Sequence, residues 1–141
     1  MASKIIIDAN IILDLILERS QDVSELKTIY KAVEENNFRC YTTTSIIHIC
    51  GHWLKMALNL GTAKKILLSY LNNVMVIDAP HVRMVDALHS DIPDIEDALQ
   101  YYIALHHQLD CFISRDRQFA HYSKPQLPVY SPSAFIKKFM S

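Results

Sequence analysis

Acidic residues stand at three separate places in this chain where they could act together. Asp8 directly follows the apolar run Ile5-Ile6-Ile7, and Asp116 stands two residues after Cys111-Phe112-Ile113-Ser114. Three more acids crowd the stretch Pro93-Asp94-Ile95-Glu96-Asp97-Ala98-Leu99. An ionised carboxylate at the end of a buried apolar run is costly unless something there needs it. Carboxylates brought close repel one another, and a divalent cation is the ordinary remedy. Mg²⁺ or Mn²⁺ is held by a few such groups, with its remaining positions left to water and phosphate oxygens. The chemistry that uses this arrangement is phosphodiester hydrolysis, in which the metal lowers the pKa of a bound water and neutralises charge developing on the phosphate. Each acid also has a purely structural explanation. Asp8 can start the turn into a helix, Asp116 can be a turn residue, Asp94 is a natural N-cap with Asp97 as its capping-box partner, and Glu96 suits a helix dipole. The capping explanation fits Asp97 least well, because Glu or Gln is usual at that place.

The elements that must position these acids alternate. Short apolar runs predict strands at Lys4–Ile7, Arg39–Thr42, Val74–Ile77, Asp110–Ser114 and, more weakly, Pro128–Tyr130. Between them, helical periodicity covers Ile11–Glu18, Val23–Asn36, Ser45–Leu58, Thr62–Leu71, Pro80–Leu88 and Asp94–His107. Ser133–Phe139 closes the chain, with Ser131 or Ser133 as N-cap. Strands separated by helices imply βαβ units, hence a three-layer α/β/α sandwich around a mainly parallel sheet of four or five strands. In such sheets ligands bind beyond the carboxyl ends of the strands. Asp8 and Asp116 both sit at such ends. Neighbouring strands lie about 5 Å apart, so the two carboxylates share a site if their strands are adjacent.

Bulk composition narrows the classes. The chain has 141 residues, half of them hydrophobic and 21% charged, which is the balance of one globular domain spanning residues 1–141. No apolar run approaches the roughly 20 residues needed to cross a bilayer, so no membrane is expected as a partner. The N-terminal stretch carries no small-residue cleavage site, which argues against a signal peptide. Cys40, Cys50 and Cys111 are odd in number, lie in apolar surroundings and lack CxxC spacing, which suggests reduced thiols and a cytoplasmic location. A net charge of −1 gives no general attraction to polyanions, so any nucleic-acid contact must be local. There is no GxxxxGK[ST] loop, which excludes a P-loop NTPase, and no DxD after the first strand, which argues against an aspartyl-phosphate phosphatase.

Taken in order, these motifs resemble the PIN-domain family, and particularly its small single-domain VapC-like ribonucleases. Asp8-Ala9-Asn10-Ile11-Ile12-Leu13-Asp14 is similar to the family's first motif. The resemblance implies that Asp8 is a metal-binding acid and that Asn10 supports it. Asp94-Ile95-Glu96-Asp97-Ala98 resembles the motif that opens the fourth major helix, with Asp97 at the catalytic acid position. Ser114-Arg115-Asp116 resembles the family's T-x-D/N motif, which places Asp116 in the site and Ser114 beside it. Pro128–Phe135 is similar to the last strand and helix. One position departs: many members carry a Glu in a stretch matching Thr44-Ser45-Ile46-Ile47-His48-Ile49, and His48 stands in its place here.

The expectation from residues and resemblance together is a Mg²⁺- or Mn²⁺-dependent endoribonuclease. Asp8, Asp97 and Asp116 are its catalytic ligands, with Asp94, Glu96 and His48 as further candidate ligands. RNA is the expected substrate, and the resemblance adds a small antitoxin protein as partner. The alternative is a catalytically weakened PIN-like module that binds RNA or protein, favoured by the missing carboxylate at His48. Arg115, Arg117 and Lys55 are candidate guides for an RNA backbone, against the ordinary alternative of solvated surface. His48 and His52 have the i,i+4 spacing of zinc helices, but no third soft ligand accompanies them. Trp53, Met56 and Leu60 follow at helical spacing and suit a core or dimer face, with base stacking as the lesser alternative, and small members of the family commonly dimerise, so a homodimer is expected.

Overall fold

A computed structural model describes residues 2–140. Five strands form one all-parallel sheet: β1 (Ser3–Ile7), β2 (Phe38–Thr43), β3 (Val74–Ile77), β4 (Cys111–Ile113) and β5 (Val129–Tyr130), in the order β3-β2-β1-β4-β5. Eight helices connect and cover them: α1 (Ala9–Leu17), α2 (Val23–Glu34), α3 (Thr44–Ala57), α4 (Leu60–Leu71), α5 (His81–His89), α6 (Ile95–His106), α7 (Arg117–His121) and α8 (Pro132–Phe139). The expected α/β/α architecture is the one observed.

The isoleucine triplet belongs to the central strand and is buried on both faces, with Ile5 and Ile6 at 0% exposure. β1 pairs with β2 on one side and β4 on the other. Right-handed crossovers put the β1→β2 and β2→β3 connections on one face of the sheet, and the β3→β4 connection on the other. The contacts agree: α1 packs on α2 and α3, α3 on α4, and α2 on α8, whereas α5 packs on α6. The chain direction therefore reverses its march across the sheet between β1 and β4, and a crevice opens at their carboxyl ends.

Two aromatic clusters hold the layers. Phe38 meets Phe135 edge-on at 5.0 Å between ring centroids, fixing α8 beneath β2. On the other side Phe119 packs against Phe112 at 5.0 Å and Tyr101 at 5.5 Å. Phe119 explains α7, which the sequence reading did not anticipate. Five residues are too few to show a helical period, yet an Asp116 cap and a buried Phe119 suffice to stabilise one turn. Of the two serines considered as cap for the last helix, Ser131 performs it, accepting from the Ala134 N–H. The helix expected over Val23–Asn36 stops at Glu34, because Asn36 takes a left-handed conformation with φ 62°.

Thr43 links the two halves of the sheet's carboxyl side. Its hydroxyl accepts the Ile46 N–H at the start of α3 and donates to Gln100 Oε1 in α6, and both side chains are buried. Thr43→Val removes the cap and strands the Gln100 carbonyl, so it should cost about 2–4 kcal/mol in denaturant unfolding. Thr44→Val, at an exposed neighbour, serves as the control. Equal stability of the two variants would remove this link from the account.

Candidate functional site

Asp8 ends β1 and starts α1, yet its carboxylate makes no capping bond to the helix. Its N–H continues the sheet ladder to the Ile113 carbonyl at 3.0 Å. Its Oδ2 accepts the Ser114 hydroxyl at 3.1 Å, and the same hydroxyl accepts the Asp116 N–H at 3.1 Å. A short chain of hydrogen bonds thus joins the two strand-end acids through Ser114. Asp116 also caps α7, with Oδ1 accepting the N–H groups of Gln118 and Phe119. The turn role and the site role coexist in this residue, because its other oxygen takes part in neither bond.

The start of α6 brings the remaining acids. Asp94 is the N-cap and accepts the Asp97 N–H at 2.9 Å. The reciprocal half of a capping box is not made, and the Asp97 carboxylate has no hydrogen-bond partner among the described residues. It is free to face the crevice. Asp8, Asn10, Asp94, Glu96, Asp97 and Asp116 all line one cleft of about 510 Å³, walled on its apolar side by Ile11, Ile49 and Trp53, with Arg115 at its rim. A cleft of about 670 Å³ lies at the amino ends of β1 and β2, but none of the residues lining it is acidic.

Electrostatics set this cleft apart. Burial raises the Asp97 pKa to about 7, and Asp8, Asp94, Asp116 and Glu96 add their repulsion in that order. Burial also raises Asp8, outweighing the hydrogen bond from Ser114, while the Asp116 charge pushes the same way. Glu96 is raised by burial, then by Asp94 and Asp8. None of the five acids forms an ion pair among the described residues. Arg115, the cation on the rim, is committed elsewhere: its guanidinium binds Asp14 and Asp22.

An all-oxygen donor set carrying excess negative charge suits a hard divalent cation. Among the described residues, no three His, Cys, Asp or Glu side chains stand close enough to form a ready cage. An ion held here through one or two of these carboxylates would need water to complete its shell, which Mg²⁺ accepts.

Several expected participants lie elsewhere. His48, a candidate ligand by sequence, is exposed and does not line the cleft. One residue along a helix turns the side chain by about 100°, and Ile49 and Trp53, four apart, occupy the cleft-facing stripe instead. Lys55 and Arg117 are exposed and outside the lining. Arg115 lines the cleft but is already paired, unlike a free guide for RNA. Asn10 lines it as well. Ile49 is not among the site residues read from sequence, since an apolar residue in a catalytic wall leaves no chemical signature, and Trp53 reads there first as core or dimer face.

The PIN domain family matches residues 4–118. The chain belongs to this family. Among solved structures, the PIN-domain chain is similar to a chain of VapBC2 from Rickettsia felis, crystallised bound to a DNA fragment from its promoter. They share 11% identity at a TM-score of 0.65, over 91% of this chain and 98% of that one. It is also similar to PAE2754 from Pyrobaculum aerophilum, with 17% identity and a TM-score of 0.65, over 99% and 98%. Comparison with curated protein sequences gives no match. Among the described residues, no helix is long and apolar enough to cross a membrane.

The acid cluster carries a pH signature. Folding raises the Asp97 pKa from 3.8 to about 7, so between these values the folded protein holds a proton that the unfolded chain releases. Stability linked to Asp97 is complete below the unfolded value and is lost as pH rises through the folded one. With EDTA present, the melting temperature should fall between pH 5 and pH 8, and Asp97→Asn should flatten this slope. A wild-type profile as flat as the variant's would contradict the repulsion described here.

Proposed function

We propose that this PIN domain is a divalent-metal-dependent endoribonuclease and the toxin of a toxin–antitoxin pair. PIN domains are generally nucleases, and the observation that carries the reading is the convergence of five unpaired acids from three chain segments on one cleft. Asp8, Asp97 and Asp116 are the proposed metal ligands, with Asp94 and Glu96 as outer acids. A bound Mg²⁺ or Mn²⁺ would supply an acidified water and a positive charge opposite the scissile phosphate.

The chain's own residues do the rest. Ser114 keeps the Asp8 carboxylate oriented through its hydroxyl. Asp97, whose carboxyl is held toward its protonated form by burial and by its acidic neighbours, would give up that proton on taking hold of the ion. Trp53, half exposed on the cleft wall, offers a flat face on which a base of a single-stranded RNA can stack.

The toxin assignment is supported by the VapBC2 neighbour, a toxin–antitoxin pair. A small antitoxin is the proposed protein partner, and the cytoplasm the proposed location. A homodimer is proposed because Met56, Leu60 and Leu68 of α3 and α4 are exposed at 70%, 52% and 66%, an apolar surface that association would cover. The second reading, a weakened binding module, is favoured by Ile49, which puts a hydrocarbon on the helix stripe that faces the acids.

Cleavage of total RNA with Mn²⁺ should be abolished by EDTA, and Asp8→Asn or Asp97→Asn should lower it by at least about a hundredfold while the fold is kept. Near-wild-type cleavage by either variant would displace the site. Ile49→Glu adds a carboxylate to the cleft and should tighten Mg²⁺ binding by calorimetry, whereas His48→Glu, pointing to solvent, should leave it unchanged; the reverse order would put His48 back in the site. Trp53→Ala should raise KM about tenfold with kcat little changed, as expected for a lost stacking contact. An unchanged KM removes Trp53 from substrate binding.

A further inference from the structure

All three guanidinium nitrogens of Arg115 donate hydrogen bonds, and the residues they engage are far from it in sequence. Nε and Nη2 grip the two carboxylate oxygens of Asp22 at 3.0 and 2.7 Å. Nη1 binds Asp14 Oδ2 at 2.5 Å, and Nη2 also donates to the Ser20 hydroxyl at 3.3 Å. Ser20 in turn donates to Asp22. One planar fork thereby ties three points of the segment from α1 to the start of α2 to the residue lying between Ser114 and Asp116. Such two-toothed pairing is directional as well as strong, and lysine cannot reproduce it.

Ser114 and Asp116 flank this anchor, and both belong to the hydrogen-bond chain that reaches Asp8. Asp8 and Asp116 repel each other, and among the described residues no ion pair within the cleft opposes that repulsion. Asp116 is held on one side by its cap on α7 and the packing of Phe119, and the Arg115 pairings add a tether on the other. We infer that Arg115 is a positioning residue, which clamps the Ser114–Asp116 segment to Asp14, Ser20 and Asp22 and so holds the strand-end acids together. The inference rests on the nuclease reading for its consequence in catalysis. The competing role is direct contact with RNA phosphate, for which Arg115 would have to leave both carboxylates.

Asp22 separates the two roles, because Asp22→Asn weakens the clamp yet leaves Arg115 with only the Asp14 carboxylate to give up on the way to a phosphate. Arg115→Gln, Asp22→Asn, Arg115→Lys and the double variant Asp22→Asn/Arg115→Gln are compared with wild type in three measurements. Hydrogen exchange of the Asp116, Gln118 and Phe119 amides is followed without metal, Mn²⁺ binding by calorimetry, and RNA cleavage by steady-state kinetics. Arg115→Gln and Asp22→Asn should both speed exchange about tenfold or more. Both should weaken Mn²⁺ binding and lower kcat by about 10–100-fold, with KM nearly unchanged. The double variant should be no worse than either single one, since both remove the same contact. Arg115→Lys should fall between Arg115→Gln and wild type. If Arg115→Gln does not fold, Asp22→Asn carries the same comparison. Unchanged exchange in Asp22→Asn overturns the clamp. So does a raised KM in Arg115→Gln alongside wild-type behaviour in Asp22→Asn, which makes Arg115 an RNA contact. Should wild type neither bind Mn²⁺ nor cleave RNA, the nuclease reading is what fails, and exchange alone decides the clamp.

Discussion

Mutual repulsion among five carboxylates is the constraint around which this molecule is arranged. Charges so crowded would normally spread apart or acquire cationic partners. Here they are held in place by elements anchored well away from the cleft. Asp8 ends a strand buried on both faces, Asp116 is bound into α7 by Phe119 packing, and Asp97 rides on a helix whose Tyr101 is wholly buried. The energy that tolerates the repulsion comes from apolar burial throughout the sheet and its aromatic clusters. The cleft is thereby left with a net charge that a hard cation can neutralise.

Charge pairing follows the opposite rule a few residues away. Asp14 and Asp22, next to the cleft in sequence and space, are both satisfied by Arg115, and Asp14 also by Arg19. The Arg115 pairing holds the Asp22 carboxyl below its usual range. The Asp22 carboxylate outside the cleft is thus kept ionised by Arg115, while Asp8, Glu96 and Asp97 inside it are pushed toward protonation. This division of partners gives the PIN-domain cleft its chemistry, and it depends on Arg115 staying on the outer side.

Most of the scaffold was legible in the sequence because its signals are local. The Ile5–Ile7 triplet, the caps at Asp94 and Ser131, and the alternation of strand with helix each have a period or a residue type that announces them. The acids of the cleft were legible for the same reason, since a carboxylate beside a buried run is conspicuous. What escaped the reading depends on rotation and distance. His48 and Ile49 are neighbours in sequence, but only the fold reveals which one the helix turns toward the acids. Arg115 beside Asp116 looks like a free basic guide until Asp14 and Asp22, roughly a hundred residues earlier, arrive beside it. The short α7 has no periodicity to read, and only the packing of Phe119 makes it visible.

The central claim is that the cleft's uncompensated acids form a site for a hard divalent cation. Isothermal titration of metal-free protein with Mn²⁺ at pH 6.5, repeated in buffers of different ionisation enthalpy, tests it most directly. Metal entering a site whose Asp97 has a pKa of about 7 must displace protons. The account predicts saturable binding accompanied by release of a substantial fraction of a proton per ion. Absence of binding at millimolar Mn²⁺, or binding with no proton released, would contradict it.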